Sequence, residues 1–421
     1  MNEWLRISVL LCVFGFLKEI RPSEPFIYEY LVGPWWNNTA NDVTERVYPV
    51  GTYAYLAQLV IVFLITDLCR YKPLIVLMGL AGVTVWGMLI WSKTLFHLQV
   101  LEVIYGTFMA TEVAYYTYIY AKVPKDYYSQ VTGHTRSAIL AGRCLSGVIA
   151  QLLTSLYVMN YMELNYISFS AMIAATLWSL SLPPAQKSIY FHRTPEKQLL
   201  TSREKYQSAF SLMQSHFLQS FRNRYVAKWS IWWALATCGF MQVQAYMQPL
   251  WTVIHKDSNS DLHNGTVEAV LTLIGCLGAL SISFIKTDWS QRGELVLSLC
   301  SILSGALLII SSQTSYIIVS YACYVVFGGL YHFVITIATS EVAKHILEDS
   351  YGLVFGLNTL IALVCQTIMT LCLVTGQLGW NLPPRNQHLA YGVYHMAVAV
   401  IFIVIGLIEW LNSHADVNKT Y

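Results

Sequence analysis

Charged side chains are scarce in this sequence, and their scarcity excludes most classes of protein. Only 11% of its 421 residues are Asp, Glu, Lys or Arg, whereas 56% are hydrophobic. Soluble domains typically carry about 25% charged residues. A soluble fold could not bury so much apolar surface, but a protein that crosses a bilayer several times can, because lipid is then its solvent. We therefore expect an all-α integral membrane protein.

Several chemical signatures are also missing. The nine cysteines form no Cys-x-x-Cys pair and show no metal-like spacing with histidine, so we interpret them as small buried side chains. The sequence has no glycine-rich nucleotide-binding loop, no nucleophile motif and no zinc-protease helix. We expect no enzyme activity, no bound metal or cofactor and no nucleic-acid partner.

Apolar runs long enough to cross a bilayer recur along the whole chain. The first run is interrupted by KEIRPSEP (18–25), in which two prolines and four charges would break an ordinary helix. A crossing takes about 20 residues of helix. On that basis we predict twelve transmembrane helices, near 4–32, 48–66, 73–92, 97–122, 130–157, 163–182, 229–254, 265–285, 294–312, 315–344, 351–376 and 388–412.

One long polar stretch divides these runs into two sets of six. It is strongly basic, and the positive-inside rule therefore places it in the cytoplasm together with both termini. Six helices on each side of a cytoplasmic connector is the layout of the major facilitator superfamily, whose two halves are repeats. The predicted domains are an N-terminal six-helix half (1–182), a basic cytoplasmic connector (183–228), a C-terminal six-helix half (229–412) and a cytoplasmic tail (413–421).

Two sets of loop residues carry further predictions. Asn37 and Asn264 begin glycosylation sequons on the external face, and Asn264 lies close to the bilayer. The loop TDLCRYKP (66–73) is a loose version of the superfamily's acidic and basic loop, although an ordinary basic loop is the alternative. Its charged residues are predicted to clamp helix ends at a cytoplasmic gate: Asp67, Arg70 and Lys72.

Isolated charges inside the apolar runs are the clearest functional signal, because an ionised side chain at mid-bilayer costs about 2.5–3.5 kcal/mol. Glu112 is the only charge in MATEVAYYTYIY (109–120), and Tyr115 and Tyr116 share its helical face. A carboxylate beside aromatic rings suits an organic cation. Binding of a cationic substrate is therefore the favoured interpretation, and an ion pair with Arg143 on the next helix is the alternative.

Four other titratable residues lie within predicted helices. Glu24 stands between two prolines in a broken helix, where freed backbone groups commonly line a cavity. Arg143 is interpreted either as the partner of Glu112 or as the counter-ion of an anionic substrate. Glu268, near the outer end of its helix, and His332 are weaker candidates.

Several blocks of this sequence together resemble one family. FGFLKEIRPSEPF (14–26), TDLCRYKP (66–73), EVAYYTYIY (112–120) and VFGLNTLIALVCQTIMT (354–370) are similar to blocks of the reduced-folate and thiamine carriers, solute carrier family 19, and closest to its thiamine branch. The resemblance covers nearly the whole chain. It implies a major facilitator fold and uptake of a water-soluble vitamin across the plasma membrane. We expect thiamine; reduced folate held by Arg143 and a vitamin sensor that does not transport are the alternatives.

The resemblance also implies a pocket at mid-membrane between the two halves, with transport by alternating access. A proton or a counter-anion is the expected coupling partner. Three departures from the vertebrate thiamine carriers bear on the pocket: Gly51 stands where they have a site tryptophan, Ala245 replaces an asparagine, and position 143 is uncharged in them. The predicted substrate-binding residues are Glu24, Tyr48, Thr52, Glu112, Tyr115, Tyr116, Arg143, Gln242, Tyr246 and Gln366.

Overall fold

Every regular element that the structure describes is a helix. The structure is a computed structural model that describes residues 2–124, 127–185, 202–256, 262–281, 289–347, 350–376 and 379–417. Two short irregular helices, Glu24–Phe26 and Asp42–Val47, precede α2 and α3. The α-helices are α1 (Glu3–Lys18), α2 (Ile27–Val32), α3 (Tyr48–Thr66), α4 (Lys72–Trp91), α5 (Leu95–Ala110), α6 (Glu112–Lys122), α7 (Tyr128–Ser155), α8 (Leu164–Ser179), α9 (Ser202–Arg222), α10 (Arg224–Lys256), α11 (Asn264–Ser281), α12 (Trp289–Gln313), α13 (Ile317–Lys344), α14 (Tyr351–Leu373) and α15 (Pro384–Val417).

Many of these helices are long and apolar. Within the described ranges, seven segments have the length and hydropathy needed to span a bilayer, and a shorter apolar helix covers Asn264–Gly278. These segments coincide with seven of the twelve predicted crossings, and the other five crossings stay predictions. The seven segments are Asp42–Thr66, Lys72–Trp91, Gln130–Ser155, Arg292–Gln313, Ile317–Lys344, Tyr351–Leu373 and Pro384–Glu409.

The break predicted in the first apolar run is confirmed. Helix α1 ends at Lys18, and regular structure resumes only at the turn Glu24–Phe26. Side chains satisfy the freed polar groups: the backbone N–H of Arg21 donates to Ser146 Oγ over 2.9 Å, and Ser23 Oγ accepts from the Trp86 indole over 3.0 Å. Buried backbone groups need such partners, so the segment is held in place although it is not helical.

The predicted helix 97–122 is divided in two at Thr111. Helix α5 ends at Ala110 and α6 begins at Glu112. The Thr111 hydroxyl donates to the carbonyl of Thr107 over 2.7 Å, and a threonine bonded back to the preceding turn commonly bends a helix. Glu112 is thus the first residue of α6, where the positive end of the helix dipole favours a carboxylate.

Two groups of helices enclose the interior cavity. Elements from the first part of the sequence, chiefly α3, α4, α5 and α7, face α10, α11 and α14 from the second part. Helices α7 and α11 pack closely at Gly147 and Gly265, where a Cβ atom on Gly147 would lie only 2.6 Å from the carbonyl oxygen of Gly265. Glycine at both positions lets the two backbones meet.

Candidate functional site

A cavity of about 340 Å³ lies between these two groups of helices, beside the turn Glu24–Phe26. Its volume falls in the range of small-molecule pockets. The wall is unusually rich in charge for the interior of a membrane protein. Its charged, amide and aromatic lining residues are Glu19, Arg21, Glu24, Tyr48, Tyr55, Trp86, Glu102, Tyr105, Arg143, Gln244, Gln248, Glu268 and Gln366.

Half of the predicted substrate-binding residues line this cavity. They come from the turn before α2 and from α3, α7 and α14, which the fold brings together from distant parts of the sequence. Their function in binding stays a prediction, but their common location is what that prediction requires. The five residues are Glu24, Tyr48, Thr52, Arg143 and Gln366.

Three other predicted residues are buried away from the cavity wall. The side-chain amide of Gln242 donates to the hydroxyl of Tyr391 over 3.0 Å. Tyr246 is fully buried. The hydroxyl of Tyr115 donates to the carbonyl of Leu11 in α1 over 2.9 Å. In this conformation all three act in helix packing.

Glu112 faces α1, where it has a cationic partner. Its Oε1 atom lies 2.7 Å from Lys18 Nζ and accepts a hydrogen bond from the Tyr116 hydroxyl over 3.3 Å. The side chain is 19% exposed but does not line the cavity. The ion pair with Arg143 that the sequence left open is not formed; the partner of Glu112 is a residue 94 positions away.

A second buried carboxylate, which the sequence reasoning did not single out, is the centre of the charge network. The Glu19 side chain is 0% exposed. Its Oε1 atom accepts from Lys18 Nζ over 2.5 Å, and its Oε2 atom accepts from Arg21 Nη2 over 2.6 Å and from Arg143 Nε over 2.8 Å. A buried ion is tolerated only when it is paired and hydrogen-bonded, and Glu19 has three cations.

The same cations extend the network to two further acids. Lys18 also binds Glu112, and Arg21 Nη1 also donates to Glu24 over 2.6 Å. Three cations and three carboxylates therefore balance one another. The signal for this network was visible in the sequence, because four of its six members, Lys18, Glu19, Arg21 and Glu24, stand in the charged helix break at 18–25.

Glu102 differs from these acids because it has no cation. It lines the cavity and forms no ion pair or hydrogen bond with any residue that the structure describes. Its carboxylate lies directly against Gly51, whose missing side chain leaves the space. Tyr105, one turn further along α5, lines the same wall, and its hydroxyl donates to Glu24 Oε1 over 3.4 Å. The sequence offered a signal for this pair, an acid followed three residues later by a tyrosine, as in the Glu112 stretch.

Glu268 and His332, which also lie within predicted helices, differ in their position relative to the cavity. Glu268 lines the cavity and accepts a hydrogen bond from the Tyr324 hydroxyl over 3.1 Å. His332 lies outside the lining, edge-on to the ring of Phe240 and against Gly275.

The predicted gate residues lie in the turn between α3 and α4 and at the first residue of α4. Asp67 is buried and accepts from the Tyr71 hydroxyl over 2.5 Å. Lys72 Nζ donates to the carbonyl of Leu180, which ties the turn to the end of α8. Arg70 and Tyr71 have positive φ angles of 57° and 64°, so the turn is tight and specifically shaped. Its function as a gate stays a prediction.

The two sequon asparagines differ in accessibility. Asn37 is exposed in the segment between α2 and α3. Asn264 is fully buried, and its Oδ1 atom accepts from the Tyr321 hydroxyl over 3.0 Å. We therefore favour Asn37 as the acceptor of a glycan.

The structure shares its fold with solved membrane transporters of the major facilitator type. The structure superposes on the xylose transporter XylE from E. coli with a TM-score of 0.65 at 12% identity, covering 95% of this chain and 97% of XylE. It superposes on the human organic anion transporter MFSD10 with a TM-score of 0.62 at 13% identity, covering 96% and 100%. These two likenesses concern the fold alone.

The chain belongs to the reduced folate carrier family, whose sequence model matches residues 2–390. It is 38% identical to thiamine transporter 1 of Mus musculus over 97% of this chain and 91% of that protein. It is 37% identical to thiamine transporter 2 of Homo sapiens (96% and 90%) and 33% identical to folate transporter 1 of Caenorhabditis elegans (99% and 95%). The predicted family is confirmed, and it is a family of membrane carriers rather than enzymes.

Proposed function

We propose that this protein imports a water-soluble vitamin across the plasma membrane and that its cargo is thiamine. Relatives that match nearly the whole chain are named thiamine transporters, and the cavity has the size and polarity of a site for a small polar molecule. A named folate transporter also matches the whole chain, so the choice of cargo rests on the chemistry of the cavity.

The unpaired carboxylate of Glu102 is the observation that carries the choice of thiamine. Glu102 is half-buried in the cavity wall, where a nearby counter-charge favours an ionised group, and none of the described residues supplies one. Thiamine contains a positively charged thiazolium ring, which would neutralise this carboxylate. Tyr48 and Tyr105 line the same cavity, and their ring faces would add cation–π attraction. The sequence predicted that Glu112, beside aromatic rings, binds an organic cation. In the structure this interpretation fits Glu102 better.

We propose alternating access as the transport mechanism, with the halves 1–182 and 229–412 rocking about the cavity. The connector 183–228 and both termini are then cytoplasmic. Hydrogen bonds between α10 and the backbone of Glu24 and Tyr28 support a gate on their side of the cavity. Gln248 accepts from the backbone N–H of Tyr28 over 3.0 Å and donates to the carbonyl of Glu24 over 2.9 Å. These bonds would break when that side opens.

A proton or a counter-anion is the proposed coupling partner. Glu24, Glu102 and Glu268 all line the cavity and are candidate proton acceptors during the transport cycle. Uptake measured with an inward and with a reversed proton gradient, at fixed membrane potential, separates proton coupling from anion exchange.

Uptake of labelled thiamine and of labelled folate, measured side by side in cells that produce the protein, tests this function. We expect accumulation of unchanged thiamine, loss of that accumulation in Glu102→Gln and little effect of Glu3→Gln, an exposed acid at the start of α1. Accumulation of folate alone would favour the reduced-folate alternative, for which Arg143 in the cavity wall is the supporting observation. Thiamine binding without accumulation would indicate a sensor.

A further inference from the structure

The guanidinium of Arg143 is only partly used by the protein. Arg143 lies in α7 and lines the cavity, and its side chain is 34% exposed. Its Nε atom donates to Glu19. Neither of its Nη atoms has an acceptor among the residues that the structure describes. The outer edge of the guanidinium therefore faces the cavity with unused N–H donors.

Arg143 also has the fewest carboxylate partners among the three cations of the buried network. Lys18 binds both Glu19 and Glu112, and Arg21 binds both Glu19 and Glu24. Arg143 pairs with Glu19 alone, and it shares that carboxylate with the other two cations. The charges of the network balance overall, but Arg143 keeps N–H donors that no carboxylate of the described residues accepts.

Arg21, the other arginine of the cavity wall, is bonded differently from Arg143. Arg21 lines the same cavity, but its side chain is only 6% exposed, and both of its Nη atoms donate to carboxylates. Its guanidinium carbon also lies 5.8 Å from the Trp86 ring centroid. Both Nη atoms of Arg21 are thus bound to carboxylates of the protein, whereas those of Arg143 are available to a ligand.

We propose that Arg143 forms an anion subsite in the cavity, so that the carrier accepts, besides thiamine, cargo that bears a phosphate or carboxylate group in addition to the ring that Glu102 receives. A guanidinium presents parallel N–H groups that match the two oxygens of such groups. This inference rests on the proposed function and extends its substrate class. The expected additional cargo is a vitamin with one cationic or aromatic end and one anionic end, such as a phosphate ester of thiamine or a folate.

Competition measurements test the subsite. Unlabelled thiamine, thiamine monophosphate and folic acid each compete with labelled thiamine for uptake into cells that produce the wild type, Arg143→Gln or Arg143→Lys. The readout is the inhibition constant of each anionic compound divided by that of thiamine, which does not depend on how much protein reaches the surface. Arg136→Gln is the matched control, because Arg136 lies seven residues, or about two turns, away on α7 and outside the cavity wall.

We expect Arg143→Gln to weaken at least one anionic competitor about tenfold or more relative to thiamine, since charge-assisted hydrogen bonds are lost. Arg143→Lys keeps the positive charge but lacks the parallel N–H groups of the guanidinium, so its ratio of inhibition constants should lie between those of the wild type and Arg143→Gln. Arg136→Gln should leave the ratio unchanged. Loss confined to the monophosphate identifies a phosphate subsite, and loss confined to folic acid identifies a carboxylate subsite.

The inference is overturned if neither anion competes with the wild type, or if the ratio is the same in Arg143→Gln and the wild type. If the wild type takes up no thiamine, the proposed function fails instead. Direct binding of labelled folic acid and thiamine monophosphate to the purified wild type and Arg143→Lys then decides the subsite. Equal affinities in that comparison, or no binding, would overturn it.

Discussion

The carboxylate of Glu102 in α5 occupies the space that the missing side chain of Gly51 in α3 leaves free. The Glu102 carboxylate lies where the side chain of residue 51 would begin, so any residue other than glycine would collide with it. Both residues line the cavity. The position of the unpaired acid therefore depends on the absence of a side chain on the neighbouring helix.

Gly51→Ala should raise the KM for thiamine about tenfold while the protein still reaches the membrane, because the new methyl group displaces the carboxylate from its position. Uptake kinetics on cells with quantified surface protein measure this. Gly133→Ala is the matched control, since a Cβ atom there meets nothing within 4 Å. An unchanged KM in Gly51→Ala would contradict the proposed relationship.

The same relationship predicts how two substitutions combine. If Gly51→Ala acts by moving Glu102, it should have little further effect on KM in a Glu102→Gln background. A double-mutant cycle gives the coupling directly. Effects that simply add would show that the alanine acts elsewhere.

Lys18 and Glu112 should stabilise the protein as a pair. Lys18→Met leaves Glu112 without its cation, and removing one partner of a buried pair costs about 3–5 kcal/mol. Lys18→Met together with Glu112→Met should recover part of that loss. Thermal unfolding in detergent measures all three variants. Arg46→Met is the control, because Arg46 is 66% exposed in its pair with Asp42 and such pairs contribute only about 0–1 kcal/mol.

If Lys18→Met is as stable as the wild type, or if the double variant is less stable than either single variant, the pair does not hold α1 and α6 in the way described.

The contact between Gly147 and Gly265 should be needed for transport. A valine at position 147 would press on the carbonyl oxygen of Gly265, which belongs to the backbone of α11 and cannot rotate away. We expect Gly147→Val to abolish most uptake at normal surface levels, because α7 and α11 can no longer meet. Gly133→Val controls for the cost of valine in the same helix. Normal uptake by Gly147→Val would show that this contact is dispensable.

Asn37 should carry the glycan. Asn37→Gln is expected to remove the mobility shift that a glycosidase causes in the wild type, whereas Asn264→Gln should leave the shift intact because Asn264 is buried. Gel mobility before and after enzymatic deglycosylation measures both. A shift that persists in Asn37→Gln would exclude Asn37 as the sole acceptor.

The sequence predicted those features that depend on local composition. Proline and charge in residues 18–25 predicted the break after α1, and the long apolar runs predicted an all-helical membrane protein. The family followed from blocks quoted along the chain, and the match over residues 2–390 confirms it. These inferences need no knowledge of which helices are neighbours.

The identity of the unpaired acid could not be derived in the same way. Glu112 and Glu102 each stand alone in an apolar run and each precedes a tyrosine by three residues, so the local pattern does not distinguish them. Only tertiary contacts do: α1 brings Lys18 to Glu112, and α3 brings Gly51 to Glu102. The sequence thus indicated the kind of site, and the fold decides which acid serves it.

The affinity of purified protein for thiamine and for a neutral analogue, in which an uncharged ring replaces the thiazolium, tests the central claim most directly. The wild type should bind thiamine at least about tenfold more tightly than the neutral analogue, because only thiamine neutralises Glu102. Glu102→Gln should lose that preference, while Glu3→Gln keeps it. Equal preference for the charged ring in Glu102→Gln and in the wild type would contradict the account.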